Sequence, residues 1–430
     1  MLDIKLIRDN PDLVKAGITK KHGDPSLVDR LLTVDSERKS LRQESETRQA
    51  KQNQASNEMA KATPEDREKL RGDLKELSDA IKADKDRLTA LDESWTVLMR
   101  QIPNLPTEDV PEGASDKENV VVKTVGEKPA FAFTPKDHEV LCEELDLLDT
   151  KRAAKVSGAK FYYLKNELVI LEQAVLRLAL DTLKAKGFTL LSVPDLVRAE
   201  AMYGAGHFAA PEDEQDGDAY KVDRDGLYLA GTAEVALANY HAGEILSESE
   251  LPLRYAGISA CFRREAGTYG KETRGLYRVH QFNKVEMFSY ARPDDTVKEH
   301  ELLLSLHEDL LQKLGLPYQV VLNCGGDLGT PQAKKWDVET WMAGMDKYGE
   351  TCSASNDTDY QARTLGIRFR RVGGDQTGET EFVHTLNSTA FASPRILIPI
   401  LENNQREDGS IAIPEVLIPY TGFSEIRKRD

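Results

Sequence analysis

Nowhere in the 430 residues do about 18 apolar residues run together, so no segment reads as a helical membrane span. The start, MLDIKLIRDNPDLV, lacks a basic stretch followed by an apolar one and a small-residue cleavage site, so no secretory leader is expected. Cysteine is scarce: Cys142, Cys261, Cys324 and Cys352 stand far apart and form no CxxC pair. Neither a disulfide framework nor a thiolate zinc site follows, which suits a reducing, cytoplasmic setting. Neither GxxxxGK[ST] nor a helix-opening GxGxxG occurs, so nucleotide binding would need another architecture. Positive charge is also short, with 57 Lys and Arg against 73 Asp and Glu and a net charge of −16. That deficit argues against a polyanionic partner. Its distribution weakens the argument: residues 27–99 carry 14 Lys and Arg against 16 Asp and Glu, so this stretch can present local basic patches.

What is present is an ordinary balance of 40% hydrophobic and 30% charged residues, in a chain long enough for two or three domains. Residues 27–99 predict two long helices. In the second, Leu70, Leu74, Leu77, Ile81, Asp84, Leu88, Leu91, Trp95 and Leu98 keep a heptad seam with one polar interruption. The first has a weaker seam: Leu31, Val34, Arg38, Leu41, Ser45, Arg48, Gln52, Ala55 and Met59. The break falls at 61–66, where Thr63 can cap and Pro64 suits a first helical position. A short turn between two seams implies an antiparallel hairpin, each arm roughly 50 Å long at about 1.5 Å per residue. An oligomerisation coiled coil or a spacer would show the same pattern. Residues 102–118, rich in Pro, Gly and acids, read as a linker. The expected domains are therefore 1–102, a linker and entry segment over 103–135, and an α+β domain over 136–430.

Two strands are expected over 254–265 and 277–290, around the loop AGTYGKETRGL. Alternation places Arg278, His280, Phe282, Lys284 and Glu286 on one face of the second strand, and Arg263 and Glu265 together on the first. A solvated strand would not place Phe282 among such charges. Guanidinium groups bind phosphate bidentately, an aromatic plane stacks on a base, and a carboxylate meets an ammonium or hydroxyl. The hairpin supplies all three.

The stretch CFRREAGTYGKETRGLYRVHQFNKVEMF resembles motif 2 of the seryl-tRNA synthetases, a class II family. GTAEV at 231–235 is similar to the family's serine-binding element, and ETCSAS at 350–355 to its metal- and ATP-binding segment. TLNSTAFASPRILIPILENNQ, within 382–405, resembles motif 3, and Pro194 sits where motif 1 (about 171–195) has its proline. The hairpin resembles the family's tRNA-binding arm, so the likeness spans nearly the whole chain. It implies a helical hairpin arm joined to a catalytic domain built on an antiparallel sheet flanked by helices. It also implies ATP and Mg2+, L-serine, tRNA(Ser) with tRNA(Sec) an open second acceptor, a homodimer, and no membrane.

Residue by residue, the resemblance gives Arg263 the α-phosphate and the serine carboxylate, Glu265 the adenine amino group, and Phe282 one face of the ring. Arg395 would cover the other face and touch the γ-phosphate; Arg263, Glu265 and Arg395 are thus the expected catalytic residues. Arg274 and Arg278 would take the β- and γ-phosphates, with Arg264 and Val279 beside the nucleotide. Glu350 and Ser353 would hold Mg2+, with Thr351 and Cys352 between them. Thr232, Ala233, Glu234, Arg263, Glu286, Asn387 and Thr389 would surround serine. Other readings remain beside these: Thr232 as a helix cap, Arg395 as a first-turn residue after Ser393-Pro394, Cys352 as a small buried neighbour, and His280 as a supporting group.

Three positions depart from the family. Ser388 replaces a common glycine and is expected to tighten the serine pocket. Pro399 is expected to kink the motif 3 helix by removing a bond to the Arg395 carbonyl. Ala343 replaces a common proline. Two rivals remain open: a relative that loads a carrier protein, and a coiled-coil interaction protein built on an inactive domain. Relatives of the first kind lack the arm and use a Cys/His zinc. Arg263 and Arg395, both present, weigh against the second.

Overall fold

The computed structural model describes residues 1–61, 63–266, 275–371 and 379–429. The chain divides into two compact units, one formed by Leu2–Thr19 and Gly23–Ile102, the other by Met1, Lys20–His22 and Pro103–Asp430.

The first unit is dominated by helices α1 (Ser26–Lys61) and α2 (Pro64–Gln101), which pack as a hairpin. Thr63 caps α2, its hydroxyl accepting from the Asp66 amide at 3.5 Å. Each seam is interrupted by charge, and the interruptions meet. Arg48 of α1 donates to both carboxylate oxygens of Asp84 at 2.5 Å. Arg38 pairs with Asp92 and lies 4.6 Å above the Trp95 ring. Asp35, buried, accepts from Arg8 twice at 2.7 Å and from the Trp95 indole at 3.1 Å. Burial raises the Asp35 carboxyl, but the Arg8 bonds outweigh it and hold its pKa below the ordinary value. The hairpin thus keeps charged groups in its seam by pairing them across it, and its buried apolar side chains include Val28, Leu31, Leu41, Ile81, Leu98 and Met99.

The second unit centres on an eight-stranded sheet. Its strands are β1 (Val120–Val125), β2 (Thr189–Ser192), β3 (Leu253–Phe262), β4 (Gln281–Ala291), β5 (Tyr318–Leu322), β6 (Lys334–Met342), β7 (Lys347–Thr358) and β8 (His384–Ser393). Their spatial order is β1-β5-β6-β7-β8-β4-β3-β2. All neighbours are antiparallel except β2, which lies parallel to β3 at one edge. The Pro- and Gly-rich residues 103–118 belong to the second unit. Asn104 donates to the Pro331 and Asp357 carbonyls, and β1 forms the far edge of the sheet. The Pro and Gly content marks an ordered entry into the sheet, and the unit boundary falls at Ile102/Pro103.

Helices α3 (His138–Glu144), α4 (Glu167–Ala185), α5 (Thr296–Lys313) and α6 (Leu397–Asn403) contribute to a core with Val285, Met287, Val338 and Phe391. A second cluster, holding Phe288, Tyr290, Tyr228 and Leu237, lies on the other face. His300 and His307 of α5 bond the Ala354 and Ala390 carbonyls at 2.9 and 3.0 Å. Burial lowers both imidazoles to about 4. The unfolded chain therefore takes up these protons first as pH falls below the ordinary 6.5, and stability is lost between there and about 4. We expect a loss of about 1 kcal/mol per histidine at pH 5.5 relative to pH 7.5. Urea midpoints at the two pH values for the unmodified chain and for His300→Gln/His307→Gln check this. Equal pH dependence in both would contradict it.

Candidate active site

The cleft lies on the face of β4 that carries Phe282 and Lys284, opposite the one that carries Val285 and Met287. β3 and β4 are shorter than their alternation suggests: β3 ends at Phe262 and β4 begins at Gln281. Arg263, Glu265 and Arg278 therefore stand on the connection, where Glu265 takes a left-handed φ of 50°. Within β4, Phe282 and Lys284 line an open cavity. Its walls include Arg263, Glu265, Arg278, Val279, Glu350, Thr351, Cys352, Ser353, Thr389 and Arg395.

Arg263 donates to the Gly231 carbonyl at 3.2 Å and lies 5.3 Å over the Phe282 ring. Glu265 pairs with Arg278 at 3.0 Å. Arg395 does not belong to a first helical turn, since α6 begins at Leu397. Its Nε donates to the Tyr277 carbonyl at 3.1 Å, its Nη1 to the Glu350 carbonyl at 3.0 Å, and its guanidinium lies 4.6 Å over the Tyr277 ring. One arginine so bridges two walls of the cleft. Arg264 differs from its neighbours: its side chain is exposed, reaches the Gly217 carbonyl at 3.5 Å and does not line the cavity. Arg274 lies outside the described residues.

Two β-bulges account for otherwise awkward spacings. Glu350 and Ser353 are three apart, which in a regular strand puts them on opposite faces. Opposite Val338/Glu339 the register of β7 skips Thr351, so Glu350 and Ser353 both reach the cavity. The Thr351 hydroxyl instead meets that of Thr340 at 2.7 Å. In β8 the register skips Ala390, and Thr389 and Ala392 share the cavity face in the same way. Cys352 is buried, its thiol reaching the Thr389 carbonyl at 3.0 Å, and burial pushes its pKa well above the ordinary value. It is a packed neighbour and no nucleophile. Glu350 and Ser353 form a small, hard oxygen donor set. Such a set fits Mg2+, which takes one or two protein oxygens together with substrate phosphates. Among the described residues no larger His, Cys, Asp and Glu cluster could hold a metal alone.

Lys284 and Glu286 form a buried ion pair at 2.6 Å, and Thr389 donates to Glu286 at 3.2 Å. Burial raises the Glu286 carboxyl, opposed by Lys284. Asn387, also buried, donates to Asp357 at 3.3 Å. Burial and then the charge of Glu234 push Asp357 well above its ordinary value. The Thr232 hydroxyl accepts from the Glu234 amide at 3.1 Å, a local turn bond just ahead of the helix Glu234–Ala238, whose N-cap is Ala233. Ala233 packs over β3: a Cβ at Gly257 would lie 3.2 Å from its own Cβ. Glu234 accepts from Gln361 at 2.9 Å and faces His207 at 3.6 Å. Burial raises Glu234, but His207, Lys284 and Gln361 outweigh it and leave its pKa lowered. Of these groups only Thr389 and Lys284 line the cavity directly; the others stand behind it through Glu286 and Gly231. Lys284, Tyr277 and Ser393 line the cavity although the family resemblance gives them no role there. Alternation already puts Lys284 on the right face; nothing in the local sequence singles out the other two.

The three departures resolve simply. Ser388 stands opposite Met287, on the core face of the sheet, with its hydroxyl 3.4 Å from the Cys352 sulfur, and points away from its neighbour Thr389. Pro399 lies in the first turn of α6, where an amide has no intrahelical partner, and the Arg395 carbonyl is taken by the Ile398 amide at 3.1 Å. No kink follows from it. Ala343 uses the amide that a proline would lack, donating to Asn403 at 3.2 Å.

The chain matches two family descriptions: the seryl-tRNA synthetase N-terminal domain over residues 1–106, and the class II tRNA synthetase core domain (G, H, P, S and T) over 220–404. It is 48% identical over 431 residues, covering 100% of both chains, to a serine--tRNA ligase of Dictyoglomus thermophilum. The chain belongs to the seryl-tRNA synthetases. It also superimposes on the family's solved structures. The Pyrococcus horikoshii enzyme, complexed with ATP, matches with a TM-score of 0.90 and 41% identity over the full length of both chains. The cytoplasmic serine-tRNA ligase of Naegleria fowleri, in complex with AMP, matches with a TM-score of 0.85 and 30% identity, covering 100% of this chain and 99% of that one. No described helix of this family member is long and apolar enough to cross a membrane.

Proposed function

We propose that the cleft activates L-serine with ATP and transfers the seryl group to the 3′-terminal ribose of tRNA(Ser), as a serine--tRNA ligase. The observation that carries this is the convergence of Arg263, Phe282, Lys284, Glu350, Thr389 and Arg395 on one cavity, with Glu286 bonded to Lys284 and Thr389. Phe282 and Arg395 would sandwich adenine, and Glu265 would meet its amino group. Arg263 would hold the serine carboxylate beside the α-phosphate. A carboxylate oxygen then attacks the α-phosphorus in line, pyrophosphate leaves, and seryl-adenylate remains. The ribose hydroxyl of tRNA attacks the acyl carbon and AMP leaves. Neither step needs a protein nucleophile; positioning and charge stabilisation carry the rate. Bound at Glu350 and Ser353, Mg2+ would neutralise charge on the phosphates.

Glu286, Asn387, Thr389 and the Thr232–Glu234 turn would meet the serine ammonium and hydroxyl. A site built to pair a hydroxyl leaves its own groups unpaired with alanine, which discriminates strongly. The hairpin supports tRNA, in preference to a carrier protein, as the acceptor. A homodimer is supported by the apolar side chains exposed beside edge strand β2: Val169 and Ile170 on α4, and Leu190 on β2, 37–45% accessible. Ile170→Glu should shift sedimentation from dimer to monomer; a monomeric unmodified chain would end that reading.

The deciding experiment is ATP–pyrophosphate exchange with each proteinogenic amino acid, without tRNA. Exchange stimulated by serine alone is the expected result. No exchange on folded protein with magnesium would remove the enzyme reading.

A further inference from the structure

One buried cluster beside the cleft has no part in the chemistry of either half-reaction. Glu402, in the last turn of α6, is fully buried, and four donors meet its carboxylate. Oε1 accepts from the His138 amide and faces His138 Nδ1, both at 2.9 Å; Oε2 accepts from the Gly344 amide at 2.9 Å and the Met345 amide at 3.3 Å. On the far side of the imidazole, Nε2 lies 3.1 Å from the Leu276 amide nitrogen.

An amide N–H can only donate, so Nε2 must present its lone pair. The proton of the neutral ring is then on Nδ1 and is donated to Glu402. This tautomer links α6 to the backbone at Leu276 in a single hydrogen-bonded line. The next residues are Tyr277, whose carbonyl receives Arg395, and Arg278, which pairs with Glu265. Gly344 and Met345, held by the other oxygen, lead into the strand carrying Glu350. The imidazole also lies against Gly275, where a Cβ would stand 2.2 Å from Nε2 and φ is 60°.

We propose that His138 is a positioning residue for ATP: through Leu276 it sets where Tyr277 and Arg278 meet the nucleotide, with Glu402 as its fixed anchor. It touches no substrate. The inference rests on the reading that ATP occupies this cleft.

Two near-isosteric variants separate the roles of the two ring nitrogens. In His138→Asn the amide nitrogen can replace Nδ1 toward Glu402, but nothing reaches Leu276. In His138→Gln the amide oxygen can replace Nε2 and accept from Leu276. ATP affinity is read by calorimetry on the full chain, and exchange kinetics in parallel. His138→Asn is expected to weaken ATP binding about 10-fold, the effect of one hydrogen bond and the displacement it allows. KM for ATP should rise in step, while KM for serine stays within about twofold. His138→Gln should recover most of the loss. Gly275→Ala, which crowds the ring from the other side, should reproduce the Asn pattern if His138→Asn fails to fold. Equal ATP affinity in the Asn, Gln and unmodified proteins would overturn the proposal, and so would a parallel rise in both KM values. An unmodified chain that binds ATP yet shows no serine-dependent exchange would sink the enzyme reading and leave the affinity comparison standing.

Discussion

Alanine at position 395 lowers kcat/KM for serine-dependent exchange by about 10²–10³-fold, the usual consequence of removing one preorganised donor from a developing charge. Arg395 is suited to a loss of that size because it is already held in place. Nε and Nη1 are engaged by the Tyr277 and Glu350 carbonyls, and the guanidinium plane rests on the Tyr277 ring. The side chain therefore loses little freedom when phosphate arrives, and Nη2 remains as the donor edge for it. Lysine keeps the charge but cannot brace two walls and stack at once, so Arg395→Lys should recover only a small part of the rate. Exchange kinetics at varied ATP separate the cases. A fall smaller than about threefold in Arg395→Ala would take this residue out of the phosphate site.

The second large effect concerns the arm, and it should dissociate the two half-reactions. The Arg48–Asp84 pair shows which residues of α1 and α2 stand level with one another. Excising residues 49–83 and closing the helices there with a Gly-rich turn should leave ATP–pyrophosphate exchange within about twofold, because no residue assigned to the cleft is touched. Transfer to tRNA should fall by about 10²-fold or more, through loss of backbone phosphate contacts. Raising salt should weaken charging by the full-length chain more steeply than by the shortened one. Equal charging by both would mean that the hairpin does not bind tRNA and would reopen the spacer reading.

Much of the site is legible in the sequence because its residues come in dense local patterns. Alternation through Phe282, Lys284 and Glu286 depends only on the pleat of a strand, so the shared face can be read directly. The heptad seams likewise locate α1 and α2, since a hydrophobic period near 3.5 matches a helical seam and does not fit a strand. Expectations fail where composition stands in for contacts. Residues 102–118 look like a linker, yet the Asn104 and Thr107 amides bond the Thr330 and Ala333 carbonyls. Pro399 is disruptive only for a helix that starts earlier than α6 does. Ser388 faces serine only if neighbouring positions share one surface, although successive strand residues point to opposite sides.

By itself, then, the sequence determined the hairpin, the family, the chemistry and most of the side chains that line the cleft. The hairpin follows from short-range periodicity, and the family and its chemistry from motifs that resemble the family's own. Only the tertiary structure decided how distant pieces meet. It paired Arg48 with Asp84 and Arg38 with Trp95 across the hairpin, turning apparent defects of the seam into contacts. It placed bulges at Thr351 and Ala390, which bring Glu350 with Ser353 and Thr389 with Ala392 onto one face. It also joined Glu402 to Leu276 through His138, residues more than a hundred positions apart. A bulge depends on the register of the partner strand, and a buried hydrogen-bonded line on the packing of three elements. Neither is encoded in any single stretch of chain.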